Sequence, residues 1–341
     1  MTRFRTTLAL VTALLLAGCS APQGPKLVER DAPRPSPSSV ASHPPTAAGA
    51  APAPAPCVPK SLRPDGVLSG PALDRIRQRG RVLVGVSQTA YLLSSRDLRT
   101  GRMDGFEVDL AVLVAKEIFG DLPVDQLEAK IQYVAVPTKN RFYGLDTEQN
   151  RTQAEARDVE KVDLILAVAT MTCERVSRYG ITFSAPYLLA RQSFLVRGRV
   201  PVQPRRLSDY RGRAVCAAEN TVNIERIRLA GAIAVSVADT ADCMVMLQQN
   251  QIEAIATDDV ILAGFAEQDA NTTVLPDSEA GADLTGVAIG NEDPDLVRLV
   301  NQVLARVRAD GSANGLQALY DKRFGGVLSA EKEALPEPEY E

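Results

Sequence analysis

Short apolar runs alternate with segments of helical hydrophobic spacing along most of the chain, from Pro71 to Phe324. Such runs predict buried strands, and apolar residues three or four positions apart predict helices that pack on a core. The predicted strands are 81–86, 131–136, 162–168, 191–196, 214–218, 233–237, 252–258 and 284–289. The predicted helices are 71–79, 106–119, 137–145, 224–229, 240–250, 259–268, 295–309 and 315–324.

This alternation of strand and helix occurs twice, which predicts an α/β fold of two doubly wound parallel sheets. We expect the chain to pass between the two units near 194–199 and again near 280–285. Two crossing strands would form a hinge, and the cleft between the units would hold a ligand. We therefore assign 61–195 plus 283–328 to lobe 1 and 196–282 to lobe 2.

Two polar segments fall outside this pattern. Residues 146–160 are charged, and we interpret them as an extension of the preceding helix or as an inserted loop without an assigned function. Residues 329–341 are acidic and contain proline, which predicts a mobile C-terminal tail.

The strand 162–168 is followed by hydroxyl groups and a cation, namely Thr170, Thr172 and Arg175. Ligands bind at the carboxyl ends of parallel strands, and a guanidinium group matches a carboxylate with two hydrogen bonds. The segment therefore predicts a pocket for the α-carboxylate of an amino acid. The alternative for Arg175 is a surface salt bridge with Glu174 or Asp163.

The N-terminus predicts export and a lipid anchor. Two arginines precede an apolar run that ends in Leu-Ala-Gly-Cys, so we interpret 1–19 as a lipoprotein signal peptide with Cys19 as the lipidated residue. The alternative is an ordinary signal peptide that contains a chance cysteine. Residues 20–60 are rich in proline and alanine and predict a disordered stalk. The mature protein is therefore expected outside the cytoplasm, tethered to the cell membrane.

Four further cysteines predict two disulfides, because exported domains tend to oxidise their thiols. Sequence alone allows three pairings. We favour Cys216–Cys243, which joins a predicted strand to the following helix, together with Cys57–Cys173, which ties the end of the stalk near the pocket strand. The alternative is a pair of free buried thiols.

Composition excludes several classes of function. The net charge of −4 gives no reason to expect nucleic-acid binding. The only histidine, His43, lies in the predicted stalk, so the lobes have no histidine for a catalytic triad or a metal site. We expect no metal, no cofactor, no catalysis and a monomer.

Several motifs resemble family 3 of the bacterial solute-binding proteins, the polar amino-acid binders of ATP-driven importers, and most of all the actinobacterial glutamate/glutamine-binding lipoproteins. The resemblance runs from about Leu73 to about Phe324. It implies the periplasmic-binding-protein-like type II fold. The matching segments are 79–86, 105–110, 170–175, 183–187, 247–258 and 310–312.

The resemblance also implies roles for individual residues. Arg175 and Thr170 match the family's site for the ligand's α-carboxylate, and Asp258 matches the carboxylate that holds the α-ammonium. The second-lobe turn at Thr221 and Val222 would close over the ligand's carboxylate with backbone N–H groups. One charge in each lobe would then grip a zwitterion.

Other expected contacts involve aromatic residues. Phe106 matches a position that lines the first-lobe pocket, and Tyr91 is the only aromatic residue where the family places a stacking ring. The family's glycine before the second-lobe threonine is Asn220 here, which tolerates a left-handed backbone. The alternatives are core packing for Phe106, a local turn for Thr172, and a helix N-cap for Asp258.

An acidic ligand would need a further cation. Arg191, which follows the segment Phe-Ser-Ala-Pro-Tyr (183–187), is one candidate, and Arg96 is another, although both could be solvated surface residues. We interpret Arg141 as a charge on the surface of a helix.

Three functions compete. The first is a lipid-anchored receptor that closes on glutamate, aspartate or a glutamine-like amino acid and delivers it to an ABC permease. The second is a sensor that reports the same ligand to a membrane signalling protein. The third is an enzyme on this scaffold, such as a dehydratase of prephenate-like acids, which the absent histidine argues against.

Overall fold

The strands form two large sheets and one two-stranded hairpin in the computed structural model, which describes residues 57–153, 156, 158–198, 204–328 and 335–341. The predicted signal peptide with Cys19, and most of the predicted stalk with His43, lie outside these residues. The strands are β1 (Val82–Val86), β2 (Ser95–Arg96), β3 (Met103–Asp104), β4 (Ile131–Ala135), β5 (Leu164–Leu166), β6 (Ile181–Phe183), β7 (Leu188–Arg197), β8 (Ala214–Ala218), β9 (Ile233–Val237), β10 (Ala254–Asp258), β11 (Thr272–Pro276), β12 (Ala282–Thr285) and β13 (Ala288–Gly290).

The helices lie between these strands, as the alternating pattern predicts. They are α1 (Pro71–Arg79), α2 (Phe106–Phe119), α3 (Val124–Glu128), α4 (Glu148–Arg151), α5 (Cys173–Tyr179), α6 (Val222–Leu229), α7 (Thr240–Gln248), α8 (Asp259–Gln268), α9 (Pro294–Ala309) and α10 (Leu316–Phe324). Most predicted elements are confirmed to within three residues at each end.

Each lobe is built on one mixed sheet. The sheet of lobe 1 has the order β4-β1-β5-β13-β6, in which β1, β4 and β5 are parallel. The sheet of lobe 2 has the order β11-β7-β10-β8-β9, in which β8, β9 and β10 are parallel. Separate apolar clusters cover the two faces of each sheet, so both lobes have the doubly wound arrangement.

Two antiparallel strands connect the lobes. The first part of β7, from Leu188 to Arg191, pairs with β12, and from Gln192 onward β7 pairs with β10 of lobe 2. The first crossing therefore lies at 188–191, earlier than the predicted 194–199, because one long strand serves both the connection and the second sheet. The second crossing, at β12, is where the sequence predicts it.

The amphipathic helix α9 shows how the first lobe buries its apolar residues. Its inward face carries Leu296, Val300, Val303 and Val307 at helical spacing, and all four side chains are buried. They pack with α1, α2 and the strands of the first sheet. This core holds the ends of β1, β4 and β5 in fixed positions.

Both predicted disulfides are present. Cys216 in β8 is bonded to Cys243 in α7, and Cys57 is bonded to Cys173, the first residue of α5. The second bond attaches the end of the predicted stalk to the helix that follows the pocket strand. Residues 58–60, the last of the predicted stalk, therefore lie between two residues that are bonded to lobe 1, Cys57 and Ser61.

The C-terminal segment is also attached to lobe 1. Ser61 forms a parallel bridge with Tyr340, with backbone hydrogen bonds from Ser61 N to Glu339 O and from Glu341 N to Ser61 O, both 2.9 Å. The guanidinium of Arg63 lies 5.3 Å from the centre of the Tyr340 ring. The expectation of a mobile tail is therefore wrong for residues 335–341.

Two local structures near the pocket differ from the prediction. Helix α5 forms where no helix was predicted, and the Thr172 hydroxyl caps it by accepting the Arg175 backbone N–H. The helix predicted at 137–145 is a single 3₁₀ turn, Arg141–Gly144, and the short helix α4 follows it. This shorter turn brings Arg141 close to the end of β5.

Candidate functional site

The carboxyl ends of the parallel strands of both lobes surround one cavity of about 540 Å³, a volume that includes the solvent at its mouth. This location is the usual one for ligand sites in open α/β sheets. The lining residues that follow these strands are Ser87, Thr89, Thr138, Arg141, Ala167, Val168, Thr170, Arg175, Thr221, Val222, Asn223, Asp239, Thr240, Thr257 and Asp258. Arg141, Arg175 and the buried acid Glu107 of the lining come from lobe 1, whereas Asp239 and Asp258 come from lobe 2.

Arg175 extends from the first turn of α5 to the cavity and is 5% exposed. Its Nη1 donates to the carbonyl oxygen of Thr170 at 2.6 Å, and its guanidinium lies 5.2 Å from the centre of the Phe142 ring. Burial and repulsion by Arg141 lower the pKa of Arg175 to about 9. It remains charged at neutral pH and forms no salt bridge with any residue of the described ranges, so a bound carboxylate would stabilise it.

Arg141 is a second buried cation, which corrects its interpretation as a helix-surface charge. It is 4% exposed, and its Nη1 donates to Ala167 O at 2.7 Å. Its Nε has no hydrogen-bond partner within the described structure. Burial lowers the pKa of Arg141, while the charges of Asp258 and Glu107 raise it. Lobe 1 therefore presents two guanidinium groups to one cavity.

Asp258 is the buried acid opposite these cations. It is 3% exposed, and the Nδ2 atom of Asn223 lies 3.4 Å from its Oδ1. Burial, together with repulsion by Asp283 and Asp259, raises the pKa of Asp258 to about 7. Although Asp258 precedes α8, its side chain makes no capping hydrogen bond, and Asp259 accepts the backbone N–H of Val260 instead. The Asp258 carboxyl group is thus available to a ligand.

The second-lobe turn lies where the resemblance implies. The Thr221 hydroxyl caps α6 by accepting the Ile224 N–H at 3.3 Å and donates to Ala218 O at 2.7 Å. Asn220 before it has a φ of 59°, so asparagine supplies the left-handed residue of this turn. Thr221 and Val222 line the cavity at the N-terminus of α6.

Four predicted site residues lie away from the lining of this cavity. Thr172 is used as the cap of α5, and Phe106 packs in the core against Tyr187 and two further rings at 6.0–6.2 Å. Tyr91 is 42% exposed. Arg191 lies in β7, where its backbone N–H donates to Asp259. The alternative interpretations therefore hold for Thr172 and Phe106. The hydroxyl of Thr172 is used in a local helix cap, and the ring of Phe106 is used in core packing.

Arg96, the other candidate cation for an acidic ligand, is also elsewhere. Its Nη1 donates to Gly101 O at 2.7 Å within the exposed β2–β3 hairpin. Arg141 lines the cavity, whereas Arg96 and Arg191 do not. Arg175 was predicted because it follows the carboxyl end of a parallel strand. The same criterion would have identified Arg141, which closely follows the carboxyl end of β4.

The two lobes also touch each other at the cavity mouth. Asp239 accepts hydrogen bonds from the hydroxyls of Thr89 at 3.1 Å and Thr138 at 3.5 Å. The Lys139 N–H donates to Ala238 O, and the Asn220 side chain donates to Lys139 O, both at 3.0 Å. The structure therefore shows the lobes in contact.

Comparison with known proteins agrees with this architecture. The model of the family described as "Bacterial extracellular solute-binding proteins, family 3" matches residues 82–325. The chain belongs to this family. The match includes both sheets and every charged residue of the cavity described above.

Among family relatives, a glutamine-binding protein of Geobacillus stearothermophilus is 30% identical over 210 residues, which are 60% of this chain and 71% of the relative. The glutamate-binding protein GluB of Corynebacterium efficiens is 25% identical over 245 residues, 69% of this chain and 76% of the relative. These relatives are binding proteins.

A solved structure of an ancestral amino-acid-binding protein, described as a precursor of cyclohexadienyl dehydratase, superposes with a TM-score of 0.61. It is 24% identical, and the match covers 74% of this chain and 100% of that one. This likeness shows the type II fold.

Within the described ranges, no helix is both long and apolar enough to cross a membrane.

Proposed function

We propose that this family 3 protein binds an acidic amino acid, glutamate or aspartate, and delivers it to an ABC importer. The observation that carries the proposal is the pair of buried guanidinium groups, Arg141 and Arg175, opposite Asp258. Buried charges are stable only when opposite charges accompany them. An amino acid with two carboxylates and one ammonium supplies the complement of these three groups.

Each ligand group has a partner of opposite charge. Arg175, beside Thr170, would bind the α-carboxylate, and Asp258 would bind the α-ammonium across the cleft. Arg141 would bind the side-chain carboxylate, a role that glutamine could fill only through a neutral amide. The glutamate-binding relative supports the acidic ligand, and the glutamine-binding relative supports an amino acid of the same length.

Closure of the lobes would follow from these contacts. A ligand that touches Arg175 in one lobe and Asp258 in the other favours the closed state, since the open state offers only half of the contacts. The strands β7 and β12 would serve as the hinge. The closed protein, tethered to the membrane by a lipid on Cys19, would present the amino acid to the permease.

The test is a titration of the twenty amino acids by calorimetry, followed by the variant Arg141→Met. We expect the wild-type protein to prefer glutamate or aspartate. Arg141→Met should weaken glutamate binding about thirtyfold, since a buried charge-assisted hydrogen bond contributes roughly 2 kcal/mol. Glutamine binding should change little, because the methionine side chain occupies much of the volume of Arg141 and the amide group of the ligand glutamine needs no cation.

Arg96→Met is the matched control, because Arg96 is an exposed arginine of the same lobe. Its glutamate affinity should equal that of the wild type. Unchanged glutamate binding in Arg141→Met, or a wild-type preference for a neutral or basic amino acid, would contradict the acidic-ligand proposal.

The contacts at the cavity mouth provide a separate test of closure. Asp239→Ala removes the acceptor for Thr89 and Thr138, contacts that exist only when the lobes meet. We expect affinity to fall about tenfold, mainly through faster ligand release in stopped-flow measurements. Glu219→Gln breaks the half-exposed pair with Lys139 and should change affinity less than about threefold. Equal effects of the two variants would argue against Asp239 as a closing contact.

A further inference from the structure

The peptide group between Ala167 and Val168, at the end of β5, is bound at both of its polar ends. Its N–H, on Val168, donates to Oε1 of Glu107 at 2.8 Å. Its C=O, on Ala167, accepts from Nη1 of Arg141 at 2.7 Å. One peptide unit thus links a carboxyl group on one side to a guanidinium group on the other.

Glu107 is held firmly at its end of this chain. It is fully buried in the first turn of α2, where Oε1 accepts from the Tyr187 hydroxyl and Oε2 lies 3.2 Å from the Ser94 hydroxyl. Burial raises the pKa of Glu107 above its ordinary value, although the groups bonded to it and Arg141 act to lower it. The single proton of the Ser94 hydroxyl is donated to Ser87 O at 2.9 Å, so Ser94 Oγ can accept from a protonated Oε2 while Oε1 accepts from Val168 and Tyr187.

The backbone at Val168 needs such support. Its φ is 46°, in the left-handed region that a β-branched residue rarely adopts. Strained conformations of this kind persist only where the surrounding structure enforces them, and they cluster at ligand sites. The hydrogen bond from Val168 N–H to Glu107 is the contact that fixes this peptide on the side away from Arg141.

We propose that Glu107 is a positioning residue for ligand specificity. It orients the 167–168 peptide, and the carbonyl of that peptide aims Arg141 at the side-chain carboxylate of the ligand. The inference rests on the proposed function, because it presumes that Arg141 binds that carboxylate. Glu107 itself acts through the peptide, since its oxygens are engaged by Ser94, Tyr187 and Val168.

The test is Glu107→Met, measured by calorimetry with both glutamate and glutamine. Methionine has a similar length, but it cannot accept the hydrogen bond from the Val168 N–H, which a glutamine at this position would keep. We expect glutamate affinity to fall about tenfold and glutamine affinity to fall less than about threefold. In the Arg141→Met background, Glu107→Met should cause no further loss of glutamate affinity, because the group that Glu107 positions is already absent.

Two other roles for Glu107 give different results. If Glu107 acted only through its negative charge near Arg141, its removal would strengthen glutamate binding. If it were only structural, glutamate and glutamine affinity would fall equally, and the loss would persist in the Arg141→Met background. Either result overturns the inference. Glu117→Gln, which alters another carboxylate of α2 paired with Arg306, is the matched control and should leave both affinities unchanged.

A milder variant covers the case in which Glu107→Met does not fold. Tyr187→Phe removes one donor but keeps the carboxylate and its bond to Val168. It should lower the ratio of glutamate to glutamine affinity by about threefold, and an unchanged ratio in a folded Tyr187→Phe variant would overturn the inference. If the wild-type protein bound no acidic amino acid, the proposed function would fail instead.

Discussion

Replacement of Arg175 with alanine is expected to weaken amino-acid binding about a thousandfold while leaving the stability of the ligand-free protein nearly unchanged. Loss of one partner from a buried, hydrogen-bonded ion pair costs roughly 2–5 kcal/mol, and alanine would leave the ligand's α-carboxylate buried without a cation. In the ligand-free protein, Arg175 is itself a buried charge whose pKa is lowered by burial and by Arg141. Relief of this burial and repulsion offsets the loss of the hydrogen bond to Thr170 O and of the contact with Phe142.

The measurement combines calorimetric titration with thermal unfolding in the presence and absence of ligand. The wild-type melting temperature should rise with ligand concentration, and that of Arg175→Ala should not, since only binding to the native state shifts the unfolding equilibrium. Arg178→Ala is the matched control, because Arg178 is an exposed arginine of α5 that pairs with Glu174. Normal affinity in Arg175→Ala would remove the basis of the carboxylate site.

The second large effect is expected from Asp258→Asn, which should weaken binding a few hundredfold at pH 8 and abolish its dependence on pH. In the ligand-free protein, burial raises the pKa of Asp258 to about 7. The bound ammonium group favours the ionised carboxylate, so binding below this pKa must release a proton. Wild-type affinity should therefore rise about tenfold per pH unit from about pH 5.5 to 7 and then level off.

Stability of the ligand-free protein should change in the opposite direction. An unfolded aspartate ionises near pH 3.9, so between about pH 4 and 7 the unfolded state loses a proton that native Asp258 keeps. The contribution of Asp258 to the free energy of unfolding is present below about pH 4 and is lost as the pH rises toward 7. Asp258→Asn should remove this slope.

Calorimetry in buffers of different ionisation enthalpy counts the released protons directly. Asp259→Asn is a control at the neighbouring position, since Asp259 bonds to the backbone of Arg191 and Val260. It should keep a pH-dependent affinity, with the levelling-off moved to lower pH because Asp259 no longer repels the ionised Asp258. If wild-type affinity were constant from about pH 5.5 to 8, or if Asp258→Asn kept the slope, another group would hold the ammonium.

The elements that sequence predicted well are those whose pattern reflects burial alone. β10 and α8 are amphipathic or apolar over several residues, so their bounds emerge from periodicity. The carboxyl end of the strand before it pointed to Arg175, whereas Asp258 came from the family resemblance. The two disulfides were predicted because exported domains tend to oxidise their thiols. Their pairing was predicted because Cys216 lies in a strand and Cys243 in the helix that follows it.

The remaining features depend on contacts that no local pattern encodes. Arg141 reaches the cavity because a single 3₁₀ turn replaces the predicted helix, a difference of a few hydrogen bonds. Phe106 begins α2 in the predicted place, yet its ring turns into the core because Tyr187, Tyr320 and Phe324 surround it. The role proposed for Glu107 is encoded only in the meeting of α2 with the end of β5.

The bridge between Ser61 and Tyr340 has a practical consequence for anyone attaching this protein to a surface or to a reporter. Both described chain ends are fastened to lobe 1, by this bridge and by the Cys57–Cys173 bond, whereas the described backbone enters lobe 2 through β7 and returns through β12. An attachment at Glu341 therefore fixes lobe 1 and makes no contact with lobe 2. A fluorophore pair that reads ligand occupancy needs its second dye on an exposed lobe 2 residue such as Leu229.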